Sequence, residues 1–170
     1  MTFYKYHGTA NDFVIINNQN LYFKNNTNLV KELCDRRTGI GADGLILLEN
    51  SNKANFKMVY FNSDGNLSTM CGNGGRCIAS FAHAMDICEK TTTFEAPDGI
   101  HHAVIDTTDY VHLSMGNTKY PEKLDDKTYF INTGSPHVVK FVDDINNINV
   151  YEEGKAIREQ KQFEQIGGTN

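Results

Sequence analysis

The 170-residue sequence contains no run of about 18 apolar residues, so no membrane-spanning helix is expected. Its start, Met1-Thr2-Phe3-Tyr4-Lys5-Tyr6-His7-Gly8, has no apolar signal core and passes directly into strand-like sequence, which makes cytoplasmic residence the default expectation. There is no stripe of Lys or Arg to neutralise phosphates. The net charge of −5 and pI near 5.6 likewise argue against nucleic acid as the main partner. None of the four cysteines (Cys34, Cys71, Cys77, Cys88) lies in a C-x-x-C pair. No zinc site is therefore expected, and in a reducing compartment all four should be free thiols.

What the chain does have is enough apolar material for one ordinary domain, or for a small domain plus part of another: 39% hydrophobic residues, including eight Tyr and ten Phe. Short acidic pairs, Asp125-Asp126 and Asp143-Asp144, read as solvated surface. Residues 3–6 and 13–16 read as strands around the turn Gly8-Thr9-Ala10-Asn11. A helix is expected over 28–37, with Leu29, Val30, Leu33 and Cys34 on one apolar face and Gly39 stopping it. Apolar runs at 45–48 and 56–61 have strand length, and Asn62-Ser63-Asp64-Gly65-Asn66 is a turn signal. A second helix should open at the glycine-rich stretch 71–77 and run to about Cys88, burying Cys77, Ile78, Phe81, Ala82 and Met85.

Three strands follow at 92–96, 103–105 and 110–115, the first two joined through Pro97-Asp98-Gly99. Residues 116–127 are polar and aperiodic and read as a linker or domain crossing. Strands at 129–133 and 138–142 flank Gly134-Ser135-Pro136-His137, and a helix is expected over 148–158. The pattern strand, glycine-centred turn, strand occurs at 7–13 and again at 132–138, an echo that either is chance or marks the start of a second copy of the domain.

Cys71-Gly72-Asn73-Gly74-Gly75-Arg76-Cys77 is the strongest local signal. Three glycines in four positions let backbone N–H groups converge, and the helix that follows adds its positive N-terminal end. Such a place suits a carboxylate as well as a phosphate, and a thiol there carries more thiolate near neutral pH. The alternative is a tight turn with an incidental cysteine. It is not a Walker A loop, because no Gly-Lys-Ser/Thr follows. Gly39-Ile40-Gly41-Ala42-Asp43-Gly44 matches G-x-G-x-x-G, but it follows a helix and precedes a strand, the reverse of a dinucleotide-binding unit. It reads as a helix-to-strand loop that can still line a site. Taken singly, His137 reads as a loop histidine, and Asn11 and Asn62 as turn formers. Cys34, Cys77 and Cys88 read as small core residues on helix faces.

Five segments occur together and in order. They are Lys5-Tyr6-His7-Gly8-Thr9-Ala10-Asn11-Asp12-Phe13, Asp35-Arg36-Arg37-Thr38-Gly39-Ile40-Gly41-Ala42-Asp43-Gly44, Asn62-Ser63-Asp64-Gly65, the Cys71–Cys77 stretch, and Gly134-Ser135-Pro136-His137. In that order the chain resembles the diaminopimelate epimerase family. The resemblance implies an α/β (α+β) fold of two pseudo-symmetric halves, each a mixed β-sheet wrapped around a central helix, with the active site between them. Residues 1–116 would form the first half, and 117–170 the crossing and an incomplete start of the second.

It further implies epimerisation of LL-2,6-diaminopimelate to meso-diaminopimelate, on the route to lysine and peptidoglycan, with no cofactor and no metal. One cysteine from each half would act as base or acid on opposite faces of the α-carbon. Position by position, Cys71 matches the first-half catalytic cysteine. Gly72 and Asn73 match the carboxylate cradle. Asn11, Asn62 and Asn170 match substrate-contacting asparagines, and His137 a histidine that assists. The implied partner is a small-molecule amino-acid substrate, and a homodimer is among the expected assemblies.

Ser135 stands where many members have Asn, and Gly44 where some have Gln. Family members continue past Asn170 into a second cysteine loop and a Glu-Arg pair, so the chain as given is expected to be inactive. The competing readings are a related two-base racemase or isomerase, such as a proline racemase or a phenazine-biosynthesis-type isomerase, and a non-catalytic carboxylate-binding fragment.

Overall fold

A computed structural model describes residues 1–24, 26–107, 110–166 and 168–170. Gly167, in the glycine pair near the end of the sequence, lies outside them. The chain divides into two compact units, Met1–Met115 and Gly116–Asn170.

The first unit is a mixed seven-stranded sheet whose strands lie in sequence order. Strands β1 (Tyr4–Gly8) and β2 (Asn11–Asn17) form an antiparallel hairpin whose two turn residues, Thr9 and Ala10, both have left-handed backbones, φ 53° and 66°. Positive φ at both positions is what a tight type I′ hairpin turn requires. Helix α1 (Thr27–Cys34) crosses over to β3 (Gly44–Glu49), which lies parallel to β2. After antiparallel β4 (Phe56–Asn62), helix α2 (Gly72–Ala84) makes the second crossover, to parallel β5 (Thr91–Ala96). Antiparallel β6 (Gly99–Thr107) and β7 (Tyr110–Leu113) complete the sheet.

Helix α2 touches β1 and β7, the two edges, as well as β2, β3, β4 and β6. A flat sheet would hold those edges about 29 Å apart, six spacings of about 4.8 Å, whereas a helix is only about 10–12 Å wide. The sheet therefore curls around α2. This explains why β2 and β3 are apolar without alternation. Phe13, Ile15, Ile46 and Leu48 pack toward α2 with Ile78 and Phe81, while Val14, Ile16, Leu45 and Leu47 pack toward α1 with Val30 and Cys34. Phe81 lies at the centre of the α2 side, its ring 4.9 Å from Tyr4 and 5.9 Å from Tyr6. Truncation of such a fully buried aromatic, Phe81→Ala, should cost about 3–5 kcal/mol of stability, readable as a lowered denaturant midpoint at unchanged slope.

Several boundaries differ from expectation. Helix α1 ends at Cys34, three residues early, because the Asp35 side chain takes the N–H groups of Arg37 and Thr38 and turns the chain away. Leu29, expected on the buried face, is at the exposed margin, as is Met85 at the end of α2. Helix α2 ends at Ala84, and the left-handed Asp86 (φ 55°) breaks its path, so Cys88 lies outside the helix and only half-buried. Gly74 and Gly75 are helical: a Cβ on Gly75 would run into Met70, Leu113 and Phe94, and one on Gly74 into Ile46 and Met58. Their absence of side chain lets the start of α2 sit against the sheet.

The second unit carries a three-stranded antiparallel sheet of β8 (Glu122–Lys123), β9 (Thr128–Asn132) and β10 (Pro136–Lys140), with β9 central. Strand β8 falls within the stretch expected to be a linker. Helix α3 (Val150–Arg158) is preceded by a 3-10 turn at Ile145–Asn147, and a short helix α4 (Lys161–Glu164) was not foreseen. Phe163 of α4 stacks on Phe130 at 5.9 Å. The 7–13 and 132–138 segments are both hairpin turns, the second with Gly134 at φ 102°.

Candidate functional site

Cys71 is the N-cap of α2. Its backbone is extended (φ −116°, ψ 120°), its carbonyl accepts the Gly75 N–H at 2.7 Å, and its sulfur accepts the Gly74 N–H at 3.5 Å. The N–H groups of Gly72 and Asn73 belong to the first helical turn, where backbone geometry leaves donors without intrahelical acceptors. With the helix dipole behind them, they suit an anionic group.

The tip of the β1–β2 hairpin lies against this helix start. A Cβ on Gly8 would sit 3.2 Å from the Cβ of Asn73, closer than packing normally allows, so glycine sets the approach. The approach brings Asn11 to the cysteine: its Oδ1 lies 3.7 Å from Cys71 Sγ and accepts from Asn73 Nδ2 at 3.4 Å. Arg76 donates to Asn73 Oδ1, which turns the Asn73 amide group toward Asn11. Asn11 Nδ2 in turn donates to Asp43 Oδ2 at 2.8 Å. Cys71, Gly72, Asn73 and Asn11 are thus together. Asn62, the last residue of β4, is on the same end of the sheet, since Gly44 pairs with both Phe13 and Asn62 across β3. Asn62 is exposed and makes its turn through its backbone, donating to Asn66 O at 3.0 Å.

His137 and Asn170 belong to the second unit and are neighbours there. Asn170 lines up with β10, donating to Pro136 O at 3.0 Å and accepting from Val138 N–H at 3.0 Å. The His137 Nδ1 lies 2.8 Å from the Ser135 carbonyl, which can only accept; Nδ1 therefore carries a proton, and in the neutral ring Nε2 is left with its lone pair.

Four charged residues not singled out in the sequence brace the site. Arg36 donates to Asp12 (2.7 and 3.2 Å) and to Asp43 (2.8 Å), and Lys5 donates to Asp12 at 2.7 Å and to the Gly41 carbonyl. The Arg36 hydrogen bonds, with help from Lys5, hold the Asp12 carboxyl well below the usual carboxylate range. This braces the loop 39–44 between α1 and β3. Tyr60 is a further residue missed: its ring fills the space beside Gly44 where a side chain would go. Burial first, then Cys71 and Asp43 nearby, raises its hydroxyl's pKa and keeps it protonated.

The other thiols differ. Burial pushes Cys34 up to about 11, Cys77 up to about 12, and Cys88 upward as well. Timed iodoacetamide labelling near neutral pH with peptide mass mapping should therefore find Cys71 modified first, because the thiolate is the reacting form. Labelling of Cys71 no faster than the other three would remove the case for a reactive thiol. Among the described residues no cluster of three or more His, Cys, Asp or Glu side chains could hold a metal ion, and no helix is long and apolar enough to cross a membrane.

The sequence pattern of the diaminopimelate epimerase family matches residues 3–121. A diaminopimelate epimerase of Flavobacterium psychrophilum is 52% identical over 168 residues, covering 98% of this chain and 65% of that protein. One of Chlorobaculum tepidum is 41% identical over 162 residues, covering 92% and 63%. The chain thus spans just under two thirds of the length of these relatives. Among solved structures, a probable proline racemase of Agrobacterium radiobacter with bound carbonate has a similar fold, with TM-score 0.63, 13% identity, and coverage of 92% of this chain and 58% of that one. A PhzF-family phenazine biosynthesis protein of Bacillus anthracis has TM-score 0.55, 16% identity, and coverage of 81% and 55%.

Proposed function

This chain belongs to the diaminopimelate epimerase family, and from that premise we propose that the protein, at the relatives' full length, epimerises LL-2,6-diaminopimelate to the meso isomer by two-base proton transfer. The observation that carries the reading is the placing of one thiol, Cys71, at the N-cap of α2 with the Asn11 and Asn73 carboxamides beside it.

Inverting a stereocentre by proton transfer needs a base on one face and an acid on the other. Cys71 serves one face. As thiolate it takes the α-proton, the C–H electron pair passes onto the α-carbon and into the adjacent carboxylate, and a thiol on the far face returns a proton. The negative charge grows on the carboxylate oxygens, where the N–H groups of Gly72 and Asn73 stabilise it without reorganising. No pyridoxal Schiff base or metal is required by this scheme, in which thiols on both faces exchange roles with the direction of reaction.

The far-face thiol is none of the cysteines described here. Cys77 is buried within α2, Cys34 belongs to the core on the other side of the sheet, and Cys88 lies past the end of α2. It belongs to the portion of the relatives' length that this chain does not span, as does the Glu-Arg pair that the family resemblance implies. Residues 117–170 begin the second, similar half, in which His137 offers Nε2 for proton transfer and Asn170 contacts substrate.

Asn11→Ala and Asn62→Ala should each lower kcat/KM about tenfold or more, since deletion of one partner of a polar substrate group typically costs about 1–3 kcal/mol. The melting temperature should move little. A variant that instead melts the protein at near-normal specific activity marks that asparagine as a turn former.

A further inference from the structure

We propose that Asp43 is a positioning residue: it fixes which end of the Asn11 carboxamide faces Cys71. The proposal rests on the reading of Cys71 as a proton-transfer group.

Among the described residues, the hydrogen-bonding partners of the Asp43 carboxylate are all donors. Oδ1 takes Arg36 Nη2 at 2.8 Å, and Oδ2 takes Asn11 Nδ2 at 2.8 Å and the Asp12 N–H at 3.2 Å. The backbone locks the same residue in place: its N–H donates to the Asp12 carbonyl at 3.0 Å and Asp12 Oδ1 at 3.1 Å, and its carbonyl accepts from Ser63 N–H at 3.1 Å. Ser63 follows Asn62, so Asp43 ties together the two turns that carry Asn11 and Asn62.

With Nδ2 committed to Asp43, Asn11 presents only Oδ1 to Cys71 and Asn73. A reversed carboxamide would set an oxygen against the Asp43 carboxylate and an NH2 against the Asn73 NH2. Both contacts are repulsive, so the Asp43 charge decides the orientation. The result is a fixed acceptor beside the thiol, which an isolated asparagine on a turn would not guarantee. The glycine-rich loop 39–44 that resembled a dinucleotide motif serves to deliver this carboxylate.

An Asp43→Asn substitution keeps the shape but replaces one oxygen with NH2, and on either side that NH2 meets a donor: Arg36 on one, Asn11 Nδ2 and the Asp12 N–H on the other. Turning the Asn11 carboxamide relieves the Asn11 conflict, and then an NH2 faces Cys71.

The test is a double-mutant cycle in a protein of the relatives' full length, with Asp43→Asn, Asn11→Ala and the pair. Each is read by kcat/KM on LL-diaminopimelate, by the rate of Cys71 alkylation with iodoacetamide, and by melting temperature. Asp43→Asn alone should lower kcat/KM about tenfold or more, the loss expected when a charge-assisted hydrogen bond that orients a group at the site is broken, and should change the Cys71 alkylation rate several-fold. In the Asn11→Ala background it should change neither further. Equal effects of Asp43→Asn with and without the Asn11 side chain would show a brace that acts by another route and would overturn the proposal. Unchanged readouts in the single variant would do the same. If Asp43→Asn does not fold, Asp43→Glu keeps the charge on Arg36 while displacing the carboxylate by one methylene. The same coupling is expected of it, and additivity counts equally against. Coupling in the alkylation arm supports the positioning role whatever the activity assay gives, whereas wild-type protein that fails to epimerise overturns only the epimerase reading.

Discussion

Cys71→Ala, made in a protein of the relatives' full length, should lower the rate of LL-to-meso conversion by on the order of 10²–10⁴-fold or more, the range associated with loss of a positioned acid or base. The size of the effect follows from the site: Cys71 is the thiol that lies against Asn11, and the neighbouring Cys77 is 4% exposed with its thiol pushed up to about 12. The fold should hardly notice. The sulfur accepts one N–H at the long distance of 3.5 Å, and the Cys71 carbonyl, which starts the helix ladder at 2.7 Å, is retained in alanine. Loss of the cap should cost at most about 0.5–2 kcal/mol. A coupled assay for the meso product, with circular-dichroism melting alongside, separates the two effects. Retained turnover in folded Cys71→Ala protein would remove Cys71 from the chemistry.

The second large effect concerns a polypeptide made of residues 1–170 alone, which should give no meso product from LL-diaminopimelate. Inversion requires a proton donor on each face of the α-carbon. Cys34 lies in the core between the sheet and α1, Cys77 is inside α2, and Cys88 is a half-buried thiol past the helix end, raised by burial. Of the four cysteines, Cys71 is the one beside Asn11 at the proposed substrate site. The purified polypeptide, its mass verified, is incubated with LL-diaminopimelate in deuterated water. Meso product carrying α-deuterium would show that one cysteine suffices and would overturn the two-base assignment.

Much of the first unit was legible in the sequence, because periodicity and turn chemistry act over short range. The uninterrupted apolar runs of β2 and β3 signalled strands, and the structure supplies the reason: each is covered on both faces. The Cys71–Cys77 stretch announced a helix start, and the G-x-G-x-x-G string, which follows a helix and precedes a strand, is the loop that this context implies. What stayed hidden depends on partners distant in sequence. Gly74 and Gly75 looked like loop glycines shaping an anion cradle, yet their neighbours Met58, Phe94 and Leu113, from three strands, make them packing glycines too. The Arg36–Asp12–Asp43 brace joins the start of β2 to the loop between α1 and β3, and nothing local in Asp12-Phe13 or Asp43-Gly44 predicts it. The density of acids and arginines in otherwise small-residue loops was the one available hint. Leu29 and Met85 misled because helical spacing marks a stripe wider than the face actually covered. Helix α4, four residues long, is too short to leave a periodic signal.

The measurement closest to the central claim follows α-hydrogen exchange in deuterated water, using Cys71→Ala protein of the relatives' full length and each isomer in turn. If Cys71 serves one face only, the wild type exchanges the α-hydrogen of both LL- and meso-diaminopimelate. The variant should then exchange one isomer alone, the one whose hydrogen faces the remaining thiol, and should return it without inversion. Exchange of both isomers by the variant, or inversion of either, would contradict the account.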